Sequence, residues 1–196
     1  MIGGNVAKVV EYGEGISRLC APNPGLMTGD GTNTWFIETS VGTVVIDPGP
    51  AIDEHVNAIT ALHPQIAAIL VTHTHNDHSP AAWPLSAKTG VPVQGMSLVD
   101  DGHQDPNAAF ENDLTDGQRL VVGDRAIQVV HTPGHVGNHL CFLDEQTGAM
   151  LVGDHLMNGS TVVIIPPSGD MSHYIASLNK ILALQPAWLG PGHGEK

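Results

Sequence analysis

The sequence predicts an α/β protein in which two β-sheets pack together and helices cover their outer faces. Three observations lead there. Short runs of β-branched and aliphatic residues recur along the chain, several of them paired across turn residues. The stretch from Thr43 to Val71 reads strand, helix, strand. Glycine (23) and proline (14) are abundant without any repeat, which suits many tight turns better than a helix bundle. With 196 residues, 41% hydrophobic and 14% charged, the chain has enough apolar material to bury a core and offset the entropy of ordering.

Val6–Tyr12 and Ile16–Cys20 read as two strands around Gly13–Gly15, followed by a Pro/Gly/Asn/Asp-rich loop over Ala21–Asn33. Thr34–Thr39 and Thr43–Ile46 form a hairpin that Asp47-Pro48-Gly49-Pro50 stops. Ile52–Leu62 is an amphipathic helix, with Ile52, Val56, Ile59 and Leu62 at helical spacing and Asp53 and Glu54 in its first turn. Ile66–Val71 is a continuous apolar run, as in a strand buried on both faces. Ser79 is placed to cap a helix with Pro80 at its first position, and Pro84 keeps that helix short or kinked. Val91–Gln94 is a strand, and Ser97–Asp116 is a polar loop long enough to face a substrate. Two hairpins follow, Arg119–Val122 with Ala126–Val130 and His139–Asp144 with Ala149–Val152. Thr161–Ile165 reads as a strand closed by Pro166-Pro167. Asp170 caps a helix whose expected buried face is Ile175, Leu178, Ile181 and Leu182, and Ala187–Leu189 is a last short strand.

Seven basic residues face twenty acidic ones, for a formal charge of −13. The seven are scattered, so nucleic acid and anionic membrane surfaces are disfavoured as partners, although bound divalent cations could reverse the sign locally. Cys20 and Cys141 are too few for a disulfide scaffold or a cysteine zinc site, and both sit in apolar stretches as structural thiols. The first residues lack the apolar core of a signal peptide, and no apolar run is long enough to span a bilayer. A soluble, cytoplasmic protein is the expectation.

The twelve histidines are the anomaly. At five places a strand ends, a turn begins, and a metal-binding type of side chain stands at the junction: Asp47; His73, His75, Asp77 and His78; His131 and His135; Asp154 and His155; and His193. Period-two spacing points His73 and His75 the same way, so they can pinch one ion, while Asp77 and His78 can face a second. Imidazole and carboxylate together suit zinc, manganese or iron. Four specified residues at this composition match by chance about three times in a thousand. His55, His63 and His103 are expected in solvent. His131, His139, His155 and His173 lie near proposed ligands, and Asp47 either orients a ligand histidine or simply starts its turn.

This pattern resembles the metallo-β-lactamase superfamily, whose His-x-His-x-Asp-His motif is followed by a single His, a single Asp and a final His. The chain shows Thr-His-Thr-His-Asn-Asp-His at 72–78, His-Thr-Pro-Gly-His at 131–135, Gly-Asp-His at 153–155 and Gly-Pro-Gly-His-Gly at 190–194. The resemblance implies a four-layer αββα sandwich with metals at one edge of the sheets. One ion would be held by His73, His75 and His135, the other by Asp77, His78 and His193. Asp154 would bridge them, and Asp47 would match the family's orienting aspartate. Within the superfamily, Gly-Asp-His-Leu-Met-Asn-Gly-Ser-Thr-Val at 153–162 and Tyr174-x-x-Ser177-Leu178 resemble the catalytic domain of the β-lactamase-like protein 2 group. That comparison implies one domain over 1–196, without the group's small winged-helix-like extension.

The implied activity is metal-dependent hydrolysis. Two divalent ions roughly 3.5–4 Å apart, zinc first and manganese or iron next, would share one hydroxide that attacks a carbonyl or phosphoryl centre. The substrate would be a small ester, thioester, lactam or phosphodiester. Asp77 and Asp154 are the candidate catalytic carboxylates, orienting the hydroxide. No Gly-x-Ser-x-Gly element surrounds any serine. Two alternatives from the same superfamily are a mononuclear iron sulfur dioxygenase, using positions matching His73, His135 and Asp154, and an endoribonuclease, against which the missing basic stripe weighs.

Overall fold

The computed structural model describes residues 9–97 and 102–195. Residues 6–8 of the expected first strand lie outside that range. Strands β1 (Val9–Gly13), β2 (Ile16–Cys20), β3 (Asn33–Thr39), β4 (Gly42–Ile46), β5 (Ile66–Leu70) and β6 (Val93–Gln94) form one sheet in sequence order. Helix α1 (Asp53–Leu62) joins β4 to β5 and α2 (Ala82–Thr89) joins β5 to β6, and both crossovers produce parallel pairs. The second sheet has the order β11-β10-β9-β8-β7, from β7 (Arg119–Val122), β8 (Arg125–His131), β9 (Leu140–Asp144), β10 (Ala149–Gly153) and β11 (Trp188–Pro191). Helix α3 (Met171–Leu184) precedes β11, which lies parallel to β10.

Period-two alternation sorts the apolar side chains into three clusters and so sets the layers. Trp35, Ile37, Val44, Ile46 and Leu70 from the first sheet meet Ile127, Val129, Leu140, Phe142 and Leu151 from the second. The alternate residues Phe36, Val45, Ile69 and Val71 face the other way, against Val56 and Ile59 of α1 and Leu85 of α2. Val130, Cys141, Met150 and Val152 turn outward from the second sheet against Ile181 of α3. The result is the four-layer αββα sandwich, with β5 buried on both faces as its unbroken apolar run requires.

Four local expectations need correction. Ser79 does not cap α2. Its hydroxyl donates to Asp105 Oδ2 at 3.1 Å, and the helix begins after Ala81, with Pro84 in a first turn whose N–H groups lack helical partners anyway. Thr161–Ile165 forms no strand, despite its β-branched run. Its carbonyls are spent on loops instead: Val163 O accepts from His135 Nδ1 at 2.6 Å and Ile165 O from the Gly169 amide. Asp170 does cap α3, accepting from the His173 amide at 2.8 Å. The buried face of α3, however, is Ser177 and Ile181, while Ile175 and Leu182 are exposed, because the helix is turned to seat Tyr174 against Gly134. A Cβ at Gly134 would stand 2.4 Å from Tyr174 Cα, so only glycine permits that approach. Finally, Cys141 is buried as expected, whereas Cys20 is only half-buried.

Candidate metal centre

The two sheets are stitched together at one end. The Leu140 amide donates to Thr72 O at 2.7 Å, and the Asn33 amide to Gly192 O at 2.8 Å. These bonds bring the C-terminal ends of β4, β5, β8, β10 and β11 to one edge, where all seven candidate ligand residues converge. The side chains of His73, His75 and His135 form one group and those of Asp77, His78 and His193 another, with the donor atoms of each group within 4.8 Å of one another.

In the first group, His75 Nδ1 lies 3.0 Å from His73 Nε2 and 3.1 Å from His135 Nε2. The outer nitrogens decide the tautomers. His135 Nδ1 donates to Val163 O at 2.6 Å. Thr72 Oγ1 gives its proton to Asp47 Oδ2 at 2.6 Å, so at 3.0 Å it accepts from His73 Nδ1. The Nε2 atoms of both rings therefore present lone pairs to His75, whose Nδ1 can donate to only one of them. Burial and the neighbouring rings push His75 down to about 4 and His73 well below the usual histidine range, so the rings are neutral, the form a metal needs.

The second group is built the same way. His78 Nδ1 donates to Asp47 Oδ2 at 2.9 Å and His193 Nδ1 to Gly31 O at 3.2 Å. Their Nε2 atoms lie 3.3 Å apart, and Asp77 Oδ2 is 3.2 Å from His193 and 3.5 Å from His78. Burial alone would lower both histidines. The carboxylates of Asp154 and Asp77 outweigh it, lifting His193 to about 9 and His78 well above its ordinary value. Burial would likewise raise Asp77, but the adjacent His78 and His193 hold it at about 2. The carboxylates thus favour positive charge at the centre of the cluster, which a divalent ion could supply.

Asp154 stands between the groups. Oδ1 is 3.3 Å from His78 Nε2 and 3.4 Å from His193 Nε2, and Oδ2 is 3.8 Å from His135 Nε2. Oδ1 is buried and its contacts to the two rings are long for hydrogen bonds, a position that a cation would satisfy. The Asp154 amide donates to His139 Nε2 at 3.2 Å, and the His139 ring stacks on His73 with centroids 5.2 Å apart.

Several residues support the site, and all but Asp47 lack a local signature. Asp47 accepts from the Thr72 amide and hydroxyl and from His78, so it orients rather than binds. Arg18, a buried arginine in β2, donates to Asn33 Oδ1, Gly194 O and Glu195 Oε1, and Asn33 Nδ2 donates to Pro191 O and Gly194 O. This clamp holds the segment that carries His193. The one available signal was an arginine inside an otherwise short apolar strand. His55 is not in solvent as expected. It is buried, 2.8 Å from Thr34 Oγ1, and burial pushes it down to about 4. His63 is half-buried against Phe36. His155 is buried against Tyr174, His131 Nε2 bonds Gly137 O, and the exposed His173 stays on α3.

Above the centre lies a cavity of about 310 Å³, reached by His75, Asp77, His135, Asp154 and His193. The pattern of the metallo-beta-lactamase superfamily matches residues 27–193. The chain belongs to the metallo-β-lactamase superfamily. Among its relatives, the lactamase-like protein vrtG of Penicillium aethiopicum is 32% identical over 193 residues, covering 95% of this chain and 59% of the relative. An atrochrysone carboxyl ACP thioesterase of Aspergillus fumigatus is 30% identical, covering 91% of the chain and 56% of that protein. The chain thus spans somewhat more than half the length of these curated relatives. The crystal structure of TTHA1623 in a di-iron-bound form is 31% identical and superimposes with a TM-score of 0.71, covering 88% of this chain and 90% of that one. No helix among the described residues is long and apolar enough to cross a membrane.

Proposed function

We propose that this metallo-β-lactamase superfamily chain is a metal-dependent hydrolase that holds two divalent ions. His73, His75 and His135 hold one, Asp77, His78 and His193 hold the other, and Asp154 lies between them. The observation that carries this reading is the set of tautomers. Four rings have Nδ1 tied to protein acceptors and Nε2 turned inward, towards the carboxylates of Asp77 and Asp154. The donor set, with imidazoles and carboxylates but no thiolate, suits zinc, iron or manganese. We place zinc first on ligand type, and iron gains weight from the di-iron relative.

When bound, the ions supply a Lewis acid for the substrate oxygen and bring the pKa of a water towards neutrality. The chain's own residues do the rest. Asp77 and Asp154 are ionised at neutral pH and line the cavity, so they can accept hydrogen bonds from the attacking water and orient it. Asp77, the more open of the two, orients the water, and the proton the water loses ends on the departing oxygen, nitrogen or sulfur as that bond to carbon breaks. The substrate is a small molecule with a carbonyl centre, an ester or thioester above all. Among the described residues no lysine or arginine lines the cavity, which argues against a phosphodiester backbone and hence against an endoribonuclease.

Metal content per chain and turnover of an ester and thioester panel test the reading. About two ions per chain are expected. His75→Ala and Asp77→Ala should each abolish turnover under metal-limited conditions while leaving the far-ultraviolet circular dichroism unchanged. Full activity in either variant sinks the dinuclear reading, and a single iron with oxygen-dependent turnover of persulfides would favour the sulfur dioxygenase.

A further inference from the structure

The walls of the cavity differ from its floor. Leu26 and Met27 of the β2–β3 loop and Met157, Val163 and Ile165 of the β10–α3 connection all line it. Leu26, Met27 and Ile165 are exposed. Single exposed apolar residues are ordinary, but five around one cavity that ends on a cluster of metal-ligand side chains form a patch that marks a binding surface. Polar lining residues near the mouth are uncharged or weakly basic (Asn76, Ser160, Thr161 and His103), and no lysine or arginine is among them. Two divalent ions would overcompensate the charges of Asp77 and Asp154, leaving an attraction for one carbonyl or carboxylate at the floor and nothing to neutralise a second anion at the rim.

Resting on the hydrolase reading, we propose that the substrate's acyl part is an uncharged apolar chain or ring that lies between Leu26–Met27 and Met157–Ile165. The volume of about 310 Å³ is at the small end for ligand cavities, so the acyl group is compact. Each methylene that leaves water between these walls should tighten binding by up to about fourfold, equivalent to roughly 0.8 kcal/mol.

The probes are acetate, butanoate, hexanoate and adipate, titrated calorimetrically into the metal-loaded protein. Affinity should rise at least tenfold from acetate to hexanoate, and adipate, of the same length but with a second carboxylate, should lose that gain. Met27→Ser and Ile165→Ser should each remove threefold or more of it. Equal affinities across the series, or a gain that survives both substitutions, would overturn the proposal. The same protein is assayed in parallel on acetyl and hexanoyl thioesters. Graded binding without any turnover upholds the apolar subsite and counts against the hydrolase reading. Turnover with a flat binding series does the reverse.

Discussion

Asp47 sits in the left-handed region with φ at 51°, a conformation that aspartate tolerates better than most residues. That turn aims its carboxylate back at β5, where it holds the Thr72 amide, the Thr72 hydroxyl and His78 Nδ1 at once. Through Thr72 it also sets the tautomer of His73, so one residue organises both metal-ligand groups. Asp47→Ala should therefore weaken metal binding by about 10–100-fold at neutral pH, read by chelator competition, while the unfolding midpoint moves less than the metal affinity. His55 makes a different prediction. Its pKa is lowered from 6.5 to about 4 by burial, so below pH 6.5 the unfolded chain takes up a proton that the folded chain refuses. The stability linked to this ring is complete above pH 6.5 and is lost as the pH falls towards 4, on the order of 3 kcal/mol in all. Urea unfolding of the metal-free chain at pH 7, 5.5 and 4.5 should show this slope, and His55→Gln should lack one proton's share of it.

Among elements, β10 and β11 decide the geometry of the centre. Their parallel pairing ends with the Gly192 amide donating to Gly153 O at 2.7 Å, which sets Asp154 beside His193. A Cβ at Gly192 would stand 2.5 Å from Asp154 Oδ1 and 2.7 Å from His78 Cε1, so the strand end must be glycine for the two groups to close on one another. Gly192→Ala should displace one of these ligands by several tenths of an ångström or more and cut turnover by about a hundredfold, with metal content falling below two per chain. An unchanged rate would show that the loop relaxes freely. The strands themselves were readable from pattern, and Ile16–Cys20 matches the observed β2 at both ends. Thr161–Ile165 was misread for a reason belonging to this scale: a β-branched run becomes a strand only where a free edge accepts it, and the second sheet's edges are β7 and β11. The apolar stripe of α3 likewise includes Ile175 and Leu182, which stay exposed while Ile181 is buried, so periodicity could not say which part would be covered.

Across the whole molecule, segments far apart in sequence meet. Arg18, near the first strand of the described residues, is bonded to Gly194 and Glu195 at a separation of more than 170 positions. Glu195 is mostly exposed, so the ion pair itself contributes little; the bonds to Gly194 O and Asn33 Oδ1 hold the loop. Arg18→Met should release His193 and reduce the metal count from two towards one, leaving the ion at His73, His75 and His135 in place. Elemental analysis together with the melting temperature checks this. A count of two at an unchanged affinity would show that the β11 hydrogen bonds suffice. Circular dichroism separates loss of the ligand from loss of the fold.

The sequence alone determined which residues are candidates for the chemistry and roughly where the strands run. Both are local properties: a histidine or aspartate at a strand end is visible as spacing, and strands announce themselves by period-two patterns and turn residues. The tertiary structure decided the rest. That His55 is buried, that His139 carries the Asp154 backbone, that Arg18 clamps the segment of His193, and that Leu26 and Ile165 line a single cavity are facts about partners distant in sequence. No window along the chain contains both members of any of these pairs. Burial, tautomer and charge state depend on the second member, and packing two sheets face to face is what brings it into contact.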